Sequence, residues 1–335
     1  MKRALILTFP VAALAAAFLI AQPGRMGQGR GPHGMMMGTL PDTIVSETNP
    51  ITPAKVALGR MLFYDGRLSN DGTVSCNSCH DLEKYGVDGR QFSLGVGGQK
   101  GGRNSPTVYH AAGQVLQFWD GRAETVEDQA KGPVLNPVEM AMASGTEVER
   151  RLRTIPGYVT AFENAFPGQP RPVTFDNMAL AIGAFERGLV TPSRWDRFLA
   201  GDRAALSNYE FAGHREFMRD GCANCHNGTF VGGRSLQKLG AVKAWPATSD
   251  PGREAVTKAE TDRMTFKVPT LRNVAKTGPY FHDGSVVQLD EAVRRMAEYQ
   301  LGANLEPNRV GQIVAWLNTL TGEIPSDYIR KPELP

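Results

Sequence analysis

The sequence predicts a mainly α-helical protein folded as two related halves. Three observations carry that prediction. Apolar residues recur at helical spacing in seven segments, whereas strand-like alternation is scarce. With 22 Pro and 37 Gly in 335 residues, these segments are interrupted often, so the helices are short and the loops long. All 4 cysteines fall in two copies of one pentapeptide, Cys76-Asn77-Ser78-Cys79-His80 and Cys222-Ala223-Asn224-Cys225-His226.

Taken in order, the chain opens on a basic pair, Lys2 and Arg3, followed by an apolar run from Ala4 to Ala21. Residues 1–21 read as an export signal, with a membrane anchor as the alternative. Residues 22–40 are rich in Gly and Met and read as a linker. Helical spacing then covers 53–64, 123–131, 145–154, 174–189, 207–219, 288–300 and 307–319. Gly59–Phe63 precedes the first pentapeptide and Gly213–Phe217 the second. Pro106-Thr107 recurs 163 residues on as Pro269-Thr270, and Phe118-Trp119-Asp120-Gly121 recurs at the same offset as Phe281-His282-Asp283-Gly284. This is a duplicated unit rather than a long array of repeats. It divides the chain into residues 41–190 and 191–335, with the boundary near Val190-Thr191-Pro192.

The formal charge of +3 falls to +1 once Lys2 and Arg3 are set aside. So neutral a chain gives no argument for binding nucleic acid or an anionic membrane.

The pentapeptide carries the chemistry. Cys-x-x-Cys-His is the attachment signature of c-type haem: two thioether bonds fix the porphyrin and the adjacent histidine binds iron. A redox dithiol or half of a zinc cluster would use similar residues. Two copies, each followed at once by His and together using every Cys, favour haem. The expected fold is therefore mainly α: two cytochrome c-like haem domains related by internal duplication. Covalent haem attachment outside the cytoplasm agrees with an export signal, so the expected location is the periplasm.

The repeat also predicts a difference between the haems. Asp290 and Glu291 open the 288–300 helix, where negative charge is favourable. Met296 follows on that helix, and a thioether is a good sixth ligand that raises a haem's potential. Met264 and Met218 compete for this role, and an ordinary core methionine is the alternative. Shifted back by 163 residues, Met296 falls on Pro133, which has no metal-binding atom. The first haem is expected to keep an open coordination position.

Several ordered blocks resemble the bacterial di-haem cytochrome c peroxidases from about residue 41 to 330. They include Leu58–Phe63, Arg103–Thr107, Gln117–Arg122, Asn136–Met140, Phe266–Asn273 and Pro279–Gly284, besides both pentapeptides. The resemblance implies a low-potential haem on His80 where hydrogen peroxide reacts, and a high-potential haem on His226 and Met296 that receives electrons. It places Trp119 between the haems, and Glu139 and Gln129 over the peroxide-binding face. Asn104, with the carbonyl oxygens of Thr277 and Pro279, matches the positions that hold calcium, a hard cation suited to oxygen ligands. The implied donor is a small cytochrome c or a blue copper protein, and homodimers are common in the family. Many members block the peroxidatic haem with a loop histidine until the other haem is reduced. Val96 stands at that position here, so activity without pre-reduction is expected. A related oxidase that modifies tryptophans in a protein partner has tyrosine where Met296 stands, and a pure electron carrier would need a sixth ligand on both haems.

Without the resemblance, Glu139 reads as a solvated acid, Trp119 as a core aromatic and Asn104 as a turn residue. Asp120 and Asp283 read as caps of their Asp-Gly turns. His282 reads as a core histidine, and His110 and His214 have no assigned role.

Overall fold

In a computed structural model the described residues are 37–247 and 249–335, so the leader read at 1–21 and most of the linker read at 22–40 lie outside them. The first helix, α1 (Pro53–Tyr64), begins where Pro53 follows Thr52, whose hydroxyl accepts from Lys55 N at 3.2 Å. Proline suits a first helical turn because its missing N–H has no partner there. Next come the single turn α2 (Cys76–Cys79), then α3 (Val126–Leu135), α4 (Gly145–Arg153), α5 (Pro156–Ala165) and α6 (Phe175–Glu186). The remaining helices are α7 (Arg194–Leu199), α8 (Asn208–Arg219), α9 (Glu254–Thr257), α10 (Leu289–Arg295), α11 (Pro307–Thr319) and α12 (Ser326–Ile329). Strands β1 (Leu236–Lys238) and β2 (Thr265–Lys267) form an antiparallel pair, Leu236 opposite Lys267.

Two helix crossings organise the packing. Helix α1 crosses α6 at Gly59, where a Cβ would overlap the Ala181 carbonyl. Helix α8 crosses α11 at Gly213, where a Cβ would overlap the Gln312 carbonyl. In both places backbones approach too closely for any side chain. One apolar cluster gathers Leu58 to Leu189 with Ile329, including Phe63, Phe162 and Phe185. A second gathers Trp195 to Leu320, including Phe217, Ile313 and Trp316.

Local geometry repeats at the sequence offset. Phe118 and Phe281 both have positive φ, 63° and 68°, as do Gly121 (66°) and Gly284 (57°). The bridges Gln117–Ala123 and Tyr280–Val286 flank these turns. His110 (φ 63°) donates its backbone N–H to Leu189 O at 3.0 Å, and Asn273 (φ 62°) donates to Leu320 O at 3.1 Å.

The terminal segments cross between the clusters. Met37 packs on the second, and Leu40 N donates to Asp196 at 3.0 Å. The tail returns to the first: Tyr64 Oη donates to Ile329 O at 2.5 Å, and Tyr328 Oη to Phe185 O at 2.7 Å. Among the described residues, no helix is long and apolar enough to cross a membrane.

Candidate functional site

The first pentapeptide forms α2 itself. Ser75 N donates to Ser78 Oγ at 3.0 Å, a reciprocal cap that fixes a helix of one turn. His80 follows directly, its backbone N–H donating to Cys76 O at 2.9 Å. His80 Nδ1 lies 3.3 Å from the Gly86 carbonyl. A proton on Nδ1 satisfies that carbonyl and leaves the Nε2 lone pair free for a metal. Burial lowers the His80 pKa, which favours this neutral form. Burial also raises the thiol pKa values of Cys76, Cys79 and Cys225, and pushes Cys222 up to about 11. Buried thiols held protonated do not suit a reactive dithiol, and two cysteines with a neutral histidine on one wall suit covalent haem.

That wall belongs to a cavity of about 640 Å³ lined by Cys76, Cys79 and His80 and also by Trp119, Gln129, Pro133, Glu139 and Glu186. Helix α3 supplies Gln129 and, one turn later, Pro133. Glu139 sits in the turn after α3, where Asn136 Nδ2 donates to its Oε1 at 2.7 Å. Burial raises its pKa, while Arg122 and the Asn136 bond pull the other way. A carboxyl so placed can both take and give a proton.

The loop carrying Val96 is clamped onto this turn. Val96 N donates to Glu139 O at 2.8 Å, and Gln99 Nε2 to Pro137 O at 3.0 Å. Gly95 lies so close to Val138 and Glu139 that a Cβ would overlap their backbone. Val96 itself packs on the first apolar cluster. Among the described residues, His80 is the only histidine in the cavity wall.

The second cavity, about 230 Å³, is lined by Cys222, Cys225, His226, Met296 and His282. Burial lowers His226 to about 4, with the Pro269 carbonyl opposing. The chain leaves the α form at Met296: residues Met296–Gln300 make a π-helical turn continuing α10. Such widened turns recur at functional sites. Neither Met264 nor Met218, the competing thioethers, lines this cavity; Met264 is in the small cluster with Trp245, and Met218 is 39% exposed.

The two cavities share a wall made of Asn104, Pro106, Thr107, Gln114, Trp119 and Lys267. Trp119 Nε1 donates to Asn104 O at 2.8 Å, and Lys267 N donates to Trp119 O at 2.7 Å. Thr277 and Pro279 line the second cavity beside Asn104. Asn104 spends its amide N–H on Arg90 O at 2.9 Å, which leaves Oδ1 as an acceptor. No cluster of acidic, histidine or cysteine side chains suited to a metal occurs among the described residues, so a cation here would rest on neutral oxygens.

A model of the family described as di-haem cytochrome c peroxidase matches residues 53–204. Cytochrome c551 peroxidase of Pseudomonas aeruginosa is 47% identical over 85% of this chain and 83% of its own length. The protein of the same name from Nitrosomonas europaea is 43% identical over 90% of each chain. The chain belongs to the di-haem cytochrome c peroxidase family. A solved MauG-like protein associated with microbial copper homeostasis superposes with a TM-score of 0.77 at 31% identity, covering 88% of this chain and 97% of that one. The comparisons support the mainly helical fold of a di-haem peroxidase that the sequence predicts.

Other residues read from the sequence take clear places in this peroxidase. Asp283 Oδ1 accepts from Ser285 N at 3.1 Å, the expected turn cap. Asp120 does more than cap: it is buried and pairs with Arg103 at 2.6 Å and Arg122 at 2.9 Å, and Arg103 also pairs with Asp250 at 2.6 Å. His110 is a core histidine whose Nε2 accepts from Thr191 N at 3.1 Å, and burial lowers it to about 3. His214 packs among Trp195, Trp316 and Phe211.

Two buried charged residues of the cavities escaped the sequence reading, Lys267 and Glu186. The available signal was a charge inside an otherwise apolar run: Glu186 ends the apolar stretch of α6, and Lys267 stands between Phe266 and Val268. Glu186 lies on the face of α6 that lines the first cavity with Ile182, where α11 lines the second with Ile313 and Leu317. Burial and, less, the Glu127 carboxylate push it up to about 8, against the opposing charge of Arg187, which is itself paired with Glu127. A carboxyl whose folded pKa exceeds its unfolded value contributes fully to stability only at low pH, and that contribution is lost as pH rises toward 8. Glu186→Gln should therefore stabilise the haem-loaded protein at pH 7 by on the order of 1–3 kcal/mol. The gain should vanish near pH 4, as read by urea melts; an equal gain at both pH values would contradict the assignment.

Proposed function

We propose that this chain reduces hydrogen peroxide to water with electrons from a small redox protein, either a cytochrome c or a blue copper protein. The observation that carries the reading is an asymmetry. Both cavities are lined by a Cys-x-x-Cys-His motif, but only the first also has Glu139 and Gln129, and Pro133 stands there where the second has Met296.

Cys76, Cys79 and His80 would hold the first haem, which would supply the redox chemistry for breaking the O–O bond. The protein's task is proton delivery and placement. Glu139 accepts the proton from one peroxide oxygen and returns it to the departing oxygen, directly or through a water. Its elevated pKa suits both halves of that transfer. Asn136 holds Oε1 in place, and the Gln129 amide can donate a hydrogen bond but cannot act as the base. Two electrons and two protons convert one peroxide into two waters. His226 and Met296 would hold the haem that takes up the electrons singly, and Trp119, on the wall common to both cavities, lies between that site and the first.

In this reading the two halves are duplicated haem domains, supported by the paired crossings at Gly59 and Gly213 and the paired turns at Phe118 and Phe281. Calcium at Asn104, Thr277 and Pro279 would brace the common wall. Export to the periplasm follows from the leader and from covalent haem. Val96 leaves the first site without a blocking imidazole, so no reductive activation is needed.

Carbon monoxide binding tests the division of labour. The fully reduced protein should bind one carbon monoxide per two haems. Binding at both haems would remove Met296 as a ligand, and binding at neither would leave an electron carrier.

A further inference from the structure

Among the described residues, Lys267 is the one charged residue on the wall that the two cavities share. It ends β2, its side chain is buried, and the residue is 6% exposed. Its ammonium bonds to the amide oxygen of Gln114, itself buried, and no carboxylate lies within ion-pair distance among the described residues. An amide oxygen alone does not offset the cost of burying an ammonium, which calls for an opposite charge. The neighbouring cations differ in this respect. Arg103 is held by Asp120 and Asp250, and Arg122 by Asp120. Among the described residues of the shared wall, Lys267 is the buried cation left without an anion.

The groups that would fill these cavities bring the missing charge. A haem attached through its vinyl groups keeps both propionate carboxylates, so two haems bring four negative charges. We infer that Lys267 is the buried counter-ion of haem propionate at the wall between the two sites, aimed by Gln114. This rests on the two-haem reading given above. Burial alone holds the ammonium pKa down to about 8, and a carboxylate partner would raise it back toward the ordinary lysine value.

The consequence is electrostatic. A fixed positive charge beside a haem destabilises the ferric form relative to the ferrous form, and so raises its potential. Lys267 is a positioning residue: it acts on the electron path through the haem edges, next to Trp119, whose carbonyl its own backbone N–H holds at 2.7 Å.

The test uses the holoenzyme, with haem counted first by pyridine haemochrome. Spectroelectrochemical titration of Lys267→Gln should show a lower midpoint potential for at least one haem. Resonance Raman should show a shifted propionate bending band, and Lys267→Arg should restore the potential. Two haems per chain with both potentials and the band unchanged in Lys267→Gln would overturn the inference alone. A wild-type protein without two haems would overturn the reading beneath it as well. If Lys267→Gln does not retain haem, Gln114→Leu frees the ammonium but keeps its charge. A shifted propionate band is then expected, and an unchanged band overturns the inference.

Discussion

Replacing Glu139 with Gln is expected to lower kcat/KM for peroxide by roughly 10²- to 10⁴-fold, the range set by losing a positioned proton carrier. Glutamine keeps the shape and can still accept from Asn136 Nδ2, but it cannot cycle a proton. The haem spectra should stay those of the parent protein, because the proposed role of Glu139 is on the substrate rather than on the proximal histidine. Asn136→Ala should cost less, since it loosens the carboxyl without removing it. The pH profile carries an independent signature. Burial raises the Glu139 pKa above its ordinary 4.5, so the acidic limb of peroxide reactivity should lie above that value. The limb should disappear in Glu139→Gln. An unchanged limb would assign it to another group, and full activity in the variant would remove Glu139 from the proton path.

Met296→Ala is expected to act on the other half of the cycle. The thioether stands in the second cavity at the start of the π-helical turn. Its loss should abolish the sulfur-to-iron charge-transfer band, lower the potential of that haem, and slow steady-state turnover with the protein donor by on the order of tenfold or more. Single-turnover reaction of peroxide at the first haem should survive. That split separates an electron-entry role from a general loss of structure. A variant with its band and potential intact would return the ligand role to another residue.

Much of this arrangement is legible in the amino-acid sequence because it is local. The pentapeptides name the attachment sites, and α1 and α11 occupy the predicted 53–64 and 307–319. Both begin with a proline at the first turn, which supplies a sharp boundary. The same rule was missed at Pro156: it opens α5, although proline is also read as punctuation. Helix α7 is six residues long, too short for a periodic signal. The predicted helix over 288–300 has the right extent but changes character at Met296. An extra residue per turn leaves no mark in apolar spacing.

Within the site, the less legible features are those made by distant partners. Lys267 and Gln114 meet across 153 positions, and Arg103 meets Asp250 across 147. Nothing in the neighbouring sequence announces either pairing. Trp119 was placed between the haems through the resemblance, and the geometry puts it on the wall of both cavities. Asp120 looked like a turn cap because its local role is real, but its buried ion pairs come from Arg103 as well as from its neighbour Arg122.

The central claim is that peroxide meets an open site above His80 in the resting protein, with Val96 in place of a blocking imidazole. The most direct measurement is stopped-flow mixing of fully oxidised, never pre-reduced enzyme with hydrogen peroxide and a reduced small cytochrome c, following donor oxidation. Turnover should begin without a lag and at the rate shown by pre-reduced enzyme. A lag, or activity only after pre-reduction, would show that another ligand closes the first site and would contradict the account.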